Sequence, residues 1–248
     1  MALIHSFEKS GNYLFRNRSN IPVILWVLAI PVIYFTDTAH IPENLKHIIL
    51  AIAIFLSAAG FVIRAITIGT TPAGTSGRNT REGQVAEQLN TSGIYSTIRH
   101  PLYLGNYLMW IGIVVFTYNL YFVIIVSLAY WLYYERIMFA EERFLEKKFG
   151  KTYLDWSLTA PAFIPSFKNY RKSRISFSLK SVFRREYSGL LATVFGFVFV
   201  DNLRYFFNYR DLDITRTSNI ILAITIVVVL ILRTLKHHTS VLDEAGRS

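Results

Sequence analysis

A chain of 248 residues with 52% apolar side chains, only 17% charged ones and a mean hydropathy of +0.35 carries too much hydrocarbon for an ordinary soluble domain. The absence of cysteine removes disulfides, thiolate metal sites and cysteine nucleophiles together, and the six histidines show no HExxH-type spacing, so no metal is expected. A formal charge of +10 beside apolar runs reads as basic loops facing anionic lipid, and nucleic acid is not an expected partner.

Met1 to Asn20 is mildly basic through Lys9, Arg16 and Arg18 and lacks a small-residue cleavage site after a short apolar core, so it is not expected to be a cleaved signal peptide. Ile21 to Thr36 predicts a first span, with Pro31 tolerated because packed neighbours satisfy the freed carbonyl. Asp37 to Lys46 is an outer turn, and Ile48 to Ile68 a second span. Arg64 stands near its inner end, where a long side chain can snorkel to the interface; an anchor of this kind weighs at least as much as a ligand contact. From Gly69 to Ile98 the composition turns to Gly, Thr, Ser, Asn and charge. No G-x-G-x-x-G follows a strand and no P-loop lysine is present, so the stretch is a linker or a binding loop rather than a phosphate cradle.

Pro101 opens a third span that runs to about Thr117, since its missing N–H costs nothing in a first helical turn. Gly105 and Gly112 on this span allow a helix or a ligand close to the backbone and suggest a cleft reached sideways from the bilayer. Tyr118 and Asn119 form a hairpin turn, and Leu120 to Phe139 returns as a fourth span. Glu141 to Phe149 continues as helix and ends at Gly150. Between Arg136 and Arg185, Lys and Arg outnumber Asp and Glu twelve to four, which places this segment in the cytoplasm. Tyr187 to Phe207 and Ser218 to Leu235 complete an all-α polytopic transmembrane bundle of about six spans, with both termini cytoplasmic. The chain divides into a two-span part (1–68), a core (69–168), and a basic linker with two further spans (169–248).

Two polar clusters bracket the apolar hairpin, and this is where chemistry is expected. Arg99, His100, Glu141 and Glu142 offer both charge signs at the bilayer edge and suit a zwitterionic cofactor, because Arg holds a carboxylate in two prongs and Glu accepts from an ammonium or a hydroxyl. Tyr95, Tyr103, Tyr107 and Tyr153 supply ring faces for a cation such as a sulfonium. The competing reading makes these residues helix-end anchors, a solvated helix start and an interfacial aromatic belt.

The order of the residues adds to this. Leu89-Asn-Thr-Ser-Gly93-Ile-Tyr95, then Arg99-His100-Pro101-Leu-Tyr103-Leu-Gly105, then Glu141-Glu142-x-x-Leu145-x-x-x-Phe149-Gly150-x-x-Tyr153-x-x-Trp156 and Pro161 resembles the integral-membrane methyltransferases. The likeness is to the isoprenylcysteine carboxyl methyltransferase family and its phospholipid N-methyltransferase relatives. It is specific over Leu89 to Pro165, looser over Arg64 to Gly69 and absent after about Lys168. Trp156 stands where Tyr is usual, and the two last spans are additions to the smallest family pattern.

Membership implies S-adenosylmethionine held in a cytosolic pocket by Tyr95, Arg99, His100, Pro101, Tyr103, Gly105, Glu141, Glu142 and Tyr153. Arg99, His100, Glu141 and Glu142 are then the catalytic candidates. The acceptor implied is a membrane lipid or a lipidated molecule entering from the bilayer, and both a carboxylate oxygen and an amine nitrogen fit the motifs. The rival readings are an NADPH-dependent sterol or isoprenoid reductase-like protein, which shares an Arg-His-Pro pattern but needs more helices before it, and a lipid-binding protein without catalysis.

Overall fold

The structure is a computed structural model that describes residues 2–18, 22–75, 78–80 and 83–247. Expectations resting on Met1, Asn20, Ile21 and loop positions 76, 77, 81 and 82 lie outside the described residues. The described chain is an all-α membrane protein of eight helices, α1 Leu3–Arg16, α2 Pro22–Phe35, α3 Glu43–Gly69, α4 Pro101–Val115, α5 Leu120–Phe149, α6 Lys151–Ser157, α7 Leu179–Tyr209 and α8 Thr217–His238. A two-stranded ribbon, β1 Arg78–Thr80 against β2 Gly83–Val85, interrupts the long polar loop. Helices α3, α5, α7 and α8 are long and apolar enough to cross a membrane, and α2 and α4 are shorter apolar helices. The six expected spans fall on these six helices, four of them long and apolar enough to cross.

The spans begin earlier than apolar pattern alone indicates. α7 starts at Leu179 rather than Tyr187, with the Ser178 hydroxyl accepting the Ser181 N–H at 3.1 Å as an N-cap. Its first turns carry Lys180, Arg184, Arg185 and Glu186, so charge hides a helix that is continuous in the backbone. α1 escaped the sequence reading for a related reason: it is too polar for a span. It is nonetheless amphipathic, burying Gly11 and Phe15. Its Phe7 ring lies edge-on to Phe139 at 5.7 Å, and Glu8 pairs with Lys147, so α1 is strapped along the C-terminal part of α5.

α3 and α4 are the tightest pair, and glycine sets their spacing. A Cβ on Gly60 would stand 2.5 Å from the Gly105 carbonyl oxygen, and one on Gly112 would collide with the Ser57 hydroxyl. That hydroxyl donates to the Met109 carbonyl at 2.9 Å. The expected cleft at Gly105 and Gly112 is therefore not there: both glycines are consumed in helix packing, as close-approach positions of bundled membrane helices are.

A core of Ala29, Ile33, Ala53, Ile113, Phe122 and Val200 joins α2, α3, α4, α5 and α7 in the half of the bundle away from the charged motifs. At that end Tyr118 takes φ +62° in the α4–α5 turn, and the Asn119 side chain accepts the Phe122 N–H at 2.9 Å to start α5. α8 leaves Ile220, Ile224, Val227 and Ile231 exposed, a surface for lipid rather than water. At the opposite end the C-terminal tail returns to the polar loop, where the Ala73 N–H donates to the Gly246 carbonyl at 2.9 Å and Arg247 donates to the Gly69 carbonyl at 2.6 Å. Both ends of the described chain thus share the face that carries the charged motifs.

Candidate active site

The site begins with backbone pairing between two irregular segments. The Arg99 and His100 N–H groups donate to the Pro161 and Ala162 carbonyls at 2.8 and 3.2 Å, and the Ser166 N–H donates to Thr97 at 2.9 Å. Segment 161–166 thus holds 97–100 in place while Pro101 starts α4. On the other flank the Trp156 indole donates to the Tyr95 carbonyl at 3.0 Å, so this aromatic reaches the backbone of the first motif.

The side chains of the two motifs then bind each other. Arg99 donates from Nε to Glu142 Oε1 at 2.9 Å and from Nη2 to Oε2 at 3.3 Å, while its Nη1 serves the Ser157 and Ala160 carbonyls at 2.8 and 2.7 Å. His100, buried, lies with Nε2 2.8 Å from Glu142 Oε1 and Nδ1 3.6 Å from Glu141 Oε2. Tyr103 stacks on the His100 ring at 5.5 Å and donates its hydroxyl to Glu141 Oε2 at 2.8 Å. Charge-assisted bonds of this kind are the strong ones, so the four candidate catalytic residues form one seam across α4 and α5.

The seam walls a cavity of about 440 Å³, within the roughly 300–1,000 Å³ range of small-molecule sites. Tyr95, Arg99, His100, Pro101, Tyr103, Glu141, Glu142 and Tyr153 all line it. Gly105 does not: a Cβ there would stand 2.5 Å from Arg64 Cγ, so this position is a helix contact. Tyr107 turns away toward α5, donating to Ser127 at 3.0 Å. Tyr153 is buried with a hydroxyl that finds no hydrogen-bond partner. Burial, and then the neighbouring Glu142 carboxylate, push its ionisation well above the usual range. Burial, then Glu141, likewise raise Tyr95 to about 12. Both phenols stay neutral at physiological pH and so keep their protons.

Arg64 does not take the anchor role, one of the two readings its sequence position left open. Instead of snorkelling outward it points into the bundle, giving Nε and Nη2 to Glu186 of α7 at 2.7 and 2.6 Å and Nη1 to Asn106 at 2.5 Å. Arg64, Asn106 and Glu186 line the cavity, as do Met109, Trp110 and Gly189. Sequence reasoning did not include these except for Arg64. An acid at the head of an apolar run, and an arginine inside a span, are the signals that point to Glu186 and Arg64.

Among the described residues no group of three or more His, Asp or Glu side chains is placed to hold a metal ion. Fold and site together define a polytopic integral membrane protein with an ionic, ligand-sized cavity at one end of its bundle. Residues 47–152 match the model of the phospholipid methyltransferase family. The chain is also similar to the cobalt-zinc-cadmium resistance protein CzcN of Cupriavidus metallidurans, at 36% identity over 36% of this chain and 41% of that protein. Protein-S-isoprenylcysteine O-methyltransferases resemble it as well, from Xenopus laevis at 29% identity (55% of this chain, 48% of that protein) and Tribolium castaneum at 28% (56% and 50%). The chain thus spans about two fifths to one half of the length of these relatives. No solved structure matches it.

Proposed function

We infer that this chain is an integral-membrane methyltransferase that uses S-adenosylmethionine and methylates a lipid-like acceptor on a carboxylate oxygen or an amine nitrogen. One observation carries the reading: the family-matched segment brings Arg99, His100, Glu141 and Glu142 from two separate motifs to one wall of a single cavity. The residues suit this cofactor. The cavity is of small-molecule size, the orphaned Tyr153 hydroxyl is a buried donor that a ligand would satisfy, and the Tyr95 ring borders the same space.

Tyr95, His100, Glu141 and Tyr153 would hold the cofactor, whose sulfonium supplies the methyl group when bound. The protein contributes alignment and charge placement, the main requirements of in-line transfer. Arg99 fixes Glu142 and the 157–160 carbonyls as a rigid wall, so little reorganisation is left to binding. His100 between two carboxylates is the residue through which a proton from an amine acceptor would pass, whereas a carboxylate acceptor needs no such transfer. The site face also carries both chain ends and the basic 136–185 segment, which supports placing all three in the cytoplasm.

The test is transfer of radiolabel from methyl-labelled S-adenosylmethionine into the organic extract of membranes incubated with purified protein. Label in lipid, lost in Glu142→Gln, supports the reading; no label in lipid or lipidated protein contradicts it.

A further inference from the structure

Helix α1 lies wholly outside the matched segment 47–152, yet the chain just beyond it reaches the cavity. Its inward side carries Phe7, Gly11, Leu14 and Phe15, the three- and four-residue spacing of one helix face. Gly11 sits against the backbone of α5: a Cβ there would stand 2.1 Å from the Arg136 carbonyl oxygen and 2.7 Å from Ala140 Cβ, beside the start of the Glu141-Glu142 motif. Phe15 is buried with Tyr103, Tyr134, Ile137 and Met138, and the Tyr133 hydroxyl donates to the Leu14 carbonyl at 3.3 Å. Packing on both α4 and α5 thus fixes the end of α1 next to the seam.

Arg18 follows directly after that end. It is half-buried, its guanidinium lies 4.2 Å over the Phe15 ring, and it lines the cavity with Tyr103 and Tyr134. An aromatic face under a planar guanidinium orients it and leaves its edge for hydrogen bonds.

Two other arginines of the wall are committed within the protein. Arg99 has Nε and Nη2 on Glu142 and Nη1 on two carbonyls, and Arg64 has Nε and Nη2 on Glu186 and Nη1 on Asn106. Neither can turn a two-pronged face to a ligand without giving up one of these bonds. The wall is nevertheless not acidic: Arg18, Arg64, Arg99 and Arg185 stand against Glu141, Glu142 and Glu186, four formal positive charges to three negative with His100 counted neutral.

We propose that Arg18 is an anion-binding residue of the cavity, carried to it by α1 to take a carboxylate or a phosphate of a bound molecule. Two sources supply such a group, the carboxylate of S-adenosylmethionine and the anionic head group of a lipid. The assignment rests on the methyltransferase reading for the first source only.

The test is calorimetric titration of wild type, Arg18→Gln, Arg18→Lys, Arg185→Gln and Arg16→Gln with S-adenosylmethionine, with its decarboxylated analogue, and with dodecyl phosphate in dodecyl maltoside. If Arg18 holds the cofactor carboxylate, wild type prefers S-adenosylmethionine over the analogue roughly ten- to a hundredfold, as one charge-assisted bond gives; Arg18→Gln loses that preference and Arg18→Lys restores part of it. If Arg18 holds a head group, the preference is the same in both proteins and Arg18→Gln weakens dodecyl phosphate by a similar factor. Arg16, exposed on α1 and not part of the cavity wall, is the control and should change nothing. Unchanged preference together with unchanged dodecyl phosphate affinity in Arg18→Gln overturns the proposal. So does a loss confined to Arg185→Gln, or an equal weakening of all three ligands, which is what a merely structural role for α1 produces. A wild type that binds neither cofactor removes the methyltransferase reading, and the dodecyl phosphate titration then decides the anion site alone: weakening in Arg18→Gln sustains it, and no binding or no change overturns it.

Discussion

Arg64 and Glu186, 122 residues apart in sequence, meet in a two-pronged ion pair with contacts of 2.7 and 2.6 Å. The pair ties the family-matched helices to α7, and Glu186 is only 2% exposed. Breaking a buried pair from one side strands the other charge, at a cost of about 3–5 kcal/mol. Glu186→Ala should therefore lower the unfolding temperature in detergent strongly, and Arg64→Ala,Glu186→Ala together should cost less than the two single losses added. Simple additivity in that cycle would show that the two side chains do not act as a pair.

Helix packing makes a separate expectation. Because a Cβ on Gly60 would stand 2.5 Å from the Gly105 carbonyl and 2.7 Å from the Met109 nitrogen, Gly60→Ala must push α3 from α4. Overpacking of this kind costs about 1–3 kcal/mol, readable as a lowered melting point by size-exclusion after heating. Gly150→Ala also strains the chain, through φ +54°, but meets no atom within 4 Å, so its penalty should be local and leave the α3–α4 contact intact.

Arg99 and Glu142 brace each other and the cavity wall through charge-assisted bonds of about 1.5–3 kcal/mol each, so Arg99→Ala and Glu142→Gln should each loosen that wall and weaken S-adenosylmethionine binding roughly ten- to a hundredfold. Arg99→Lys should not rescue, because an ammonium cannot span a carboxylate and two carbonyls as the guanidinium does. Glu146→Gln is the control: its carboxylate serves Arg143 at 2.6 Å on a half-exposed surface and should change affinity little. Near-wild-type titrations for both Arg99→Ala and Glu142→Gln would show that this pair braces the fold and takes no part in holding the cofactor.

Alkaline pH probes the buried phenols. In the unfolded chain a tyrosine loses its proton near pH 10, whereas Tyr95 in the fold holds it to about 12. The folded-state value is raised, so its stabilising contribution is complete below pH 10 and is lost as pH rises through that window. Denaturant midpoints should fall between pH 10 and 12, less steeply in Tyr95→Phe. An identical slope in that variant would mean that Tyr95 ionises as freely in the fold as out of it.

Sequence alone displayed the fold class and most of the seam for a physical reason: long apolar runs and Arg, His, Glu and Tyr at helix ends are local signals. The contacts that complete the site are not local. Nothing near Arg64 in sequence announces that Glu186 neutralises it, so the sequence left the arginine open between an outward anchor and a ligand contact. Gly105 and Gly112 signalled close approach correctly but not what approaches, which proved to be α3 rather than a ligand. Arg99 and Glu142 both line the cavity and also hold each other, a pairing across 43 residues that spacing cannot reveal. α1 was missed because its polar face masks an amphipathic period, and the start of α7 because its first turns are charged.

The measurement that bears most directly on the central claim is isothermal titration of the purified, monodisperse protein with S-adenosylmethionine and, separately, with NADPH. A methyltransferase site of this build requires saturable binding of S-adenosylmethionine, weakened in Glu142→Gln, and none of NADPH. Saturable binding of NADPH with no response to S-adenosylmethionine would contradict the account and favour reductase chemistry at the same seam.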